Sequence, residues 1–184
     1  MMFITSGEFK RRRILTPKGQ RPSEGKVRGV LYNVMKERVR GLRVLDLFGG
    51  AGALGFEALS WGADFCCFVD NNRGSFAVIK QNIDSLDVAG KTRLVFSDAL
   101  RYLNKIKDQE AEFDLIFLDP PYNKELVQKS LHALNTYDIL SRTGFIVILM
   151  SAEDNIDLQA YEKYNVVFDR RYGLPRVIIL ERSE

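Results

Sequence analysis

Beyond residue 43 the chain alternates short, nearly unbroken apolar runs with stretches whose apolar positions recur every three or four residues. The runs RVLDLF (43–48), FCCFV (65–69), RLVF (93–96), LIFL (115–118) and FIVILM (145–150) read as strands, and the stretches near 53–61, 73–86, 99–106 and 124–137 read as helices. Strand and helix in repetition predict parallel strands covered on both faces, which explains why the runs are continuous rather than alternating. The tail breaks the rhythm. Within 163–182 the runs YNVVF and RVIILE are separated only by DRRYGLP, a hairpin-length connection, so the sheet is expected to close with an antiparallel pair at one edge.

The first 43 residues follow another pattern. Phe3-Ile4 and Ile14-Leu15 flank the basic run FKRRR like two short strands, and Val27, Val30, Leu31 and Val34 recur at helical spacing after a boundary at Pro22-Ser23. A basic hairpin followed by a helix docked on the core is expected. Residues 1–43 hold 12 Lys and Arg against 3 acids, whereas residues 44–184 hold 15 against 21. That asymmetry points to a polyanion met by one face of the molecule.

With 184 residues, 46% of them hydrophobic, the chain suits a single domain: an extension over 1–43 and a catalytic core over 44–184. Cys66 and Cys67 are adjacent in an apolar run, too close for ordinary disulfide geometry and wrongly spaced for zinc, and read as buried thiols in a reducing compartment. No apolar run nears the roughly 18 residues of a membrane span and no signal-peptide core is present, so a cytoplasmic protein without membrane contact is expected. His132 is the only histidine, which argues against His-based metal sites and Ser-His triads; no metal is expected.

Ligands of an open parallel sheet bind outside the carboxyl ends of its strands. There the first strand of the core runs into DLFGGAGALG (46–55), whose Gly50, Gly52 and Gly55 satisfy G-x-G-x-x-G, and Asp70 follows 20 residues after Gly50. A nicotinamide oxidoreductase fits that fingerprint, but Asp46 stands where a pyrophosphate would sit and would repel it. S-adenosylmethionine carries an ammonium and a sulfonium instead of phosphate, so a carboxylate beside a glycine loop suits it. Asp70 is placed for ribose hydroxyls and Asp98, after the third run, for an adenine amino group. Each of these acids also reads as an N-cap, a common use of Asp before a helix.

The fourth run ends in Asp119, Pro120, Pro121 and Tyr122. The Asp119 carboxylate and the Pro120 carbonyl are two acceptors able to hold both hydrogens of an exocyclic amine, and the prolines keep them rigid without supplying an N–H of their own. Tyr122 offers a flat face on which a base can stack.

With DLFGGAGALG, FVDNN, FSDA and DPPY in this order, the chain resembles class I S-adenosylmethionine-dependent amino-methyltransferases. The runs FITSGEFKRRRIL, RPSEGKVRGVLYNVM and LDLFGGAGALGFEALSWGA extend the likeness over nearly the whole chain to the bacterial RsmD family, which methylates a guanine N2 amine in 16S ribosomal RNA. The resemblance implies a Rossmann-like α/β fold with a mostly parallel seven-stranded sheet and an antiparallel C-terminal edge strand. It implies Asp46, Phe48, Gly49, Gly50 and Gly52 on the methionine side of the cofactor, Asp70 with Asn71 at the ribose, and Asp98 with Ala99 at the adenine. Asp119, Pro120, Pro121 and Tyr122 would form the amine site, and Arg21 and Arg28 would lie near the substrate entrance. The chain departs from the family at Ser23-Glu24-Gly25-Lys26, at Met150-Ser151 and at Leu174-Pro175.

A guanine amine inside a helix is out of reach of in-line transfer, so the base must be flipped, with Lys10, Arg11, Arg12 and Arg13 gripping phosphates around it. The expected partner is 16S rRNA or the assembling small subunit, met by a monomer. Methylation of DNA adenine or of a protein glutamine uses related chemistry. The chain lacks room for a separate DNA-recognition domain, and glutamine-directed enzymes generally carry Asn where Asp119 stands. A non-catalytic RNA-binding module would go with a degenerate cofactor loop, and this loop is intact.

Overall fold

The computed structural model describes residues 2–18, 25–109, 113–121 and 124–183. The N-terminal strands β1 (Met2–Phe3) and β2 (Arg13–Ile14) pair antiparallel and lead to α1 (Gly25–Met35). The core then runs β3 (Arg43–Asp46), α2 (Ala53–Ser60), β4 (Phe65–Asp70), α3 (Arg73–Leu86), β5 (Thr92–Phe96), α4 (Ala99–Ile106), β6 (Phe113–Leu118), α5 (Lys124–Thr136), β7 (Leu140–Ser151), β8 (Tyr164–Arg171) and β9 (Pro175–Arg182). Seven strands form one sheet in the order β5-β4-β3-β6-β7-β9-β8. Pairs among β3 to β7 are parallel; β9 lies antiparallel between β7 and β8. The antiparallel C-terminal strand is thus present one place in from the edge, and β8 is the edge. The mostly parallel sheet with helices on both faces is the Rossmann-like α/β architecture expected from the sequence.

Alternate residues of each central strand enter two cores. Val44, Cys66, Phe68, Leu115, Phe117 and Val147 face α1, α2, α3 and the N-terminal hairpin, while Leu45, Cys67, Val69, Ile116 and Ile148 face α4 and α5. Both faces are apolar because both are covered, at roughly 1.5–3 kcal/mol for each large side chain withdrawn from water. The amphipathic helices show one buried stripe, as in α4, where Ala99, Tyr102, Leu103 and Ile106 turn inward. α2 is different, with all eight residues buried.

The cause lies in the N-terminal extension, which covers α2 from outside. The Glu8 N–H donates to the Ser60 carbonyl (2.8 Å), the Phe9 N–H to the Ser60 hydroxyl (2.9 Å), and that hydroxyl to the Ser6 carbonyl (2.6 Å). Gly7, at φ +81°, lies so close that a Cβ would fall 2.0 Å from the Ser60 carbonyl oxygen. The expected hairpin and docked helix are both present, as an integral layer of the fold. The helix boundary expected at Pro22-Ser23 lies outside the described residues.

Sequence boundaries hold best where capping chemistry is local. Asn72 caps α3 by accepting from the Gly74 and Ser75 N–H groups, and Asp98 caps α4 by accepting from Arg101. The strand expected over 43–48 ends at Asp46 because Leu47 and Phe48 already turn into the loop, and β7 starts five residues early through an irregular pairing near Phe113.

Candidate active site

The chain builds outward from β3 to β4 and β5, then crosses to β6 on the other side of β3. A crevice opens at such a reversal, outside the carboxyl ends of the two strands. Here it is a pocket of about 770 Å³, within the usual range for ligand sites. Asp46 closes β3 at its floor and Asp119 follows β6 beside it.

The glycine loop between β3 and α2 is tied down by its own backbone. The Gly49 N–H donates to the Val69 carbonyl (2.9 Å), and the Gly50 N–H donates to the Asp70 carboxylate (2.7 Å). Gly50 and Gly52 have φ of 57° and 78°, conformations that side chains resist. Gly49 and Gly55 serve contact instead: Cβ atoms there would lie 2.8 Å from Ile79 and 2.2 Å from the Phe68 ring. Gly52 is not among the lining residues; it packs behind the loop, where a Cβ would lie 2.4 Å from Phe56.

Of the residues expected at the cofactor, Asp46, Phe48, Gly49, Gly50, Asp70, Asn71, Asp98 and Ala99 all line the pocket, as do Asp119, Pro120 and Pro121 from the expected amine site. Tyr122 and Arg21 lie outside the described residues. Asp70 accepts from Gly50 and from the Asn72 N–H (2.7 Å) through different oxygens, and Asp98 accepts from Arg101 (3.0 Å). A carboxylate offers about four acceptor sites, so these backbone bonds leave each of the two room for a ligand donor.

Asp46 is buried, with the Gly55 N–H donating to it (3.1 Å). Desolvation raises its pKa to about 8; the Asp119 and Asp70 carboxylates push the same way, against the Gly55 and Phe48 N–H groups. Asp119 is partly open to the pocket, yet desolvation raises its pKa to about 7. Four aspartates line this pocket, and no lysine or arginine among the described residues does. Such a site attracts a cation and opposes a phosphate.

Sequence reasoning missed the far wall. Thr16 and Pro17 beyond β2, Val27 on α1, Leu149 and Met150 on β7 and Pro175 at the start of β9 complete the pocket. The signal for the last three was their place at strand ends of the same sheet; the first three gave none, because only the folded hairpin brings them there.

The basic residues are placed differently from expectation. Lys10, Arg11, Arg12 and Arg13 are exposed, but their turn docks on the carboxyl-terminal ends of α2 and α3. Arg12 donates to the Ser85 carbonyl (2.6 Å) in the last turn of α3, where a cation meets the negative end of the helix. The pocket lies at the other end of these helices, roughly 12 Å away along the eight residues of α2. The expected position of these four residues around the pocket is therefore corrected: they lie at the opposite ends of the helices.

Arg28 is also a correction. It is 4% exposed and inside the protein, donating to Glu57 (3.0 Å), the Met2 sulfur (2.8 Å) and the Phe3 carbonyl (3.2 Å). Glu57 in turn accepts from the Thr5 N–H (2.8 Å). Arg28 ties β1, α1 and α2 together rather than meeting RNA. Among the described residues no helix is long and apolar enough to cross a membrane, and no group of His, Cys, Asp and Glu could hold a metal ion.

Comparison with known proteins agrees with the architecture. The chain is 34% identical to the YlbH protein of Bacillus subtilis, whose name carries a provisional rRNA methyltransferase assignment, across 98% of this chain and 99% of that one. It is 28% identical to ribosomal RNA small subunit methyltransferase D of Escherichia coli, across 83% of this chain and 76% of the relative. The solved structure of the yhhF protein of Escherichia coli superimposes with a TM-score of 0.85 at 24% identity, covering 98% and 97% of the two chains. Residues 2–181 match the family described as conserved hypothetical protein 95, to which the chain therefore belongs, in its RsmD-type group.

Proposed function

We propose that this chain is an S-adenosylmethionine-dependent methyltransferase that methylates the exocyclic N2 amine of one guanine in 16S ribosomal RNA, free or in the assembling small subunit. The observation that carries the reading is the charge of the pocket, four aspartates without a described basic side chain, beside an Asp-Pro-Pro run. The relatives named ribosomal RNA small subunit methyltransferase D, in Escherichia coli and Buchnera aphidicola, support the RNA substrate.

S-adenosylmethionine supplies a methyl group on a cationic sulfur and departs as a neutral thioether. Asp46 balances the cation at the methionine end, and Gly49 and Gly50 let the backbone approach it. Asp70 with Asn71 receives the ribose hydroxyls, and Asp98 with Ala99 borders the adenine. Opposite them, the Asp119 carboxylate and Pro120 carbonyl accept the two amine hydrogens and turn the nitrogen toward the methyl carbon. Tyr122, next in the sequence, supplies an aromatic ring of the kind that stacks on a base, a contact of about 1–3 kcal/mol. As the N–C bond forms and the S–C bond breaks, positive charge grows on nitrogen. Asp119, with its pKa of about 7, is matched to receive the proton that nitrogen then sheds. Lys10, Arg11, Arg12 and Arg13, at the far ends of α2 and α3, hold phosphates of RNA that extends beyond the pocket.

The test is transfer of labelled methyl groups by the purified protein to 16S RNA and to small-subunit particles, with nucleosides separated by mass spectrometry. N2-methylguanosine is expected. Label in another nucleoside overturns the guanine assignment, and no transfer to either substrate overturns the enzyme.

A further inference from the structure

The edge hairpin β8–β9 is basic within an acidic core. Residues 168–176 carry three arginines and one aspartate, whereas the remainder of residues 44–184 carries 12 basic and 20 acidic side chains. Asp169 is one negative charge against three positive ones: it grips Arg176 through two hydrogen bonds of 2.8 and 2.7 Å and also feels the charge of Arg171 on the same face. Arg170 and Arg171 remain exposed, with no ion pair among the described residues.

The turn that carries them is rigid and borders the pocket. β8 rises in the same direction as the parallel strands, so Arg170 and Arg171 end it at the pocket side of the sheet. The Tyr172 N–H donates to the Pro175 carbonyl (2.8 Å), the Ala152 N–H to the Leu174 carbonyl (2.7 Å), and Tyr172 packs on the core. Pro175 itself lines the pocket and pairs with Ser151 of β7. Successive strand residues point to opposite faces, so Arg170, opposite Val177, lies toward the hairpin and α1, while Arg171, opposite Arg176, lies toward α5. The basic turn of the N-terminal extension, by contrast, sits at the remote ends of α2 and α3.

From this placement we infer that the β8–β9 turn is a second RNA-contact surface, with Arg170 and Arg171 holding backbone phosphates that flank the base inserted in the acidic pocket. The inference rests on the RNA methyltransferase reading above. An acidic pocket repels the backbone that must deliver its base, and fixed cations on its rim offset that repulsion at the entrance. The exposed Leu174 gives the rim an apolar contact for a neighbouring base.

The test compares wild type with an Arg170→Glu/Arg171→Glu variant. The control is Lys91→Glu/Lys105→Glu, the same charge change at exposed positions by the amino-terminal ends of the strands. Affinity for 16S RNA is measured by filter binding from 50 to 200 mM salt, alongside methylation KM and kcat and the affinity for S-adenosylmethionine. The rim variant is expected to bind RNA about tenfold more weakly, with a log–log salt slope lower by about 1 to 2, raised KM and unchanged kcat and cofactor affinity. The control variant should stay near wild type. A rim variant that behaves like the control overturns this inference alone. A wild type that transfers no methyl group to RNA overturns the functional reading, and the inference falls with it.

Discussion

The two halves of the pocket are built by different means. On the β3–β4–β5 side, short contiguous segments place their carboxylates by local backbone hydrogen bonds: Asp70 by Gly50 and Asn72, Asp98 by Arg101, Asp46 by Gly55. On the β6–β7–β9 side, Asp119, Met150 and Pro175 meet through tertiary packing, and the N-terminal extension adds Thr16, beside the Leu15 bonded to Asn82 of α3, and Val27 to the lining. On the reading proposed above, the first half takes the cation of the cofactor. The second depends on the N-terminal layer, fastened by the buried Arg28–Glu57 pair.

The harshest way to separate the halves is to remove that fastening. Arg28→Ala leaves Glu57 charged in the core and should cost about 3–5 kcal/mol of stability, read by denaturant unfolding, whereas an Arg28→Met/Glu57→Leu double variant should recover most of it. A single variant as stable as wild type would show that the layer is held elsewhere.

Next in size is the amine clamp. Asp119→Ala should lower the methyl-transfer rate by about 10²–10³-fold while cofactor affinity stays within about twofold, because the acceptor acts chiefly near the transition state. Equal losses of both would move Asp119 into the cofactor half. In wild type the rate should climb as pH rises through about 7, where Asp119 gives up its proton, and Asp119→Asn should flatten that limb.

How much of this was legible in the sequence follows the same division. Strand runs, the Asp98 cap, the glycine loop and the carboxylates at successive strand ends are written in contiguous residues, and the fold bears them out, whereas the cap of α3 is Asn72 and not Asp70. The burial of Arg28 and the position of the basic turn were not legible, because sequence shows charge but not burial or which end of a helix a loop will touch. An arginine in a helical stretch looks solvent-facing until Glu57 appears 29 residues later inside a wholly buried helix. Thr16, Pro17 and Val27 carry no local chemistry at all.

A smaller effect sharpens the cofactor half. Burial holds the Asp46 carboxyl near pKa 8 against an ordinary 3.8, so the folded protein keeps a proton that the unfolded chain loses above about pH 4. Its contribution to stability is complete below about pH 4 and is lost as pH rises toward 8; Asp46→Asn should remove that slope. Binding a cation beside Asp46 should expel the same proton. Titration calorimetry at pH 7 in buffers of different ionisation enthalpy should then show release of up to one proton, with affinity for S-adenosylmethionine rising by up to about tenfold per pH unit until about pH 8. Affinity independent of pH would place the cation elsewhere.

The smallest effect belongs to the remote basic turn. Replacing Arg11, Arg12 and Arg13 with Ala should weaken RNA binding and flatten its salt dependence by about 0.7–0.9 for each phosphate that is no longer neutralised. An unchanged slope would leave those arginines as helix-end partners only.

On the proposed reading, the acidic pocket methylates one guanine of small-subunit RNA. Mass-spectrometric mapping of methylated guanines in 16S RNA from cells with and without this protein tests this most directly. One N2-methylguanosine is expected in the first and not in the second, restored by the wild-type chain but not by Asp119→Ala. Identical 16S RNA in both cells would contradict it.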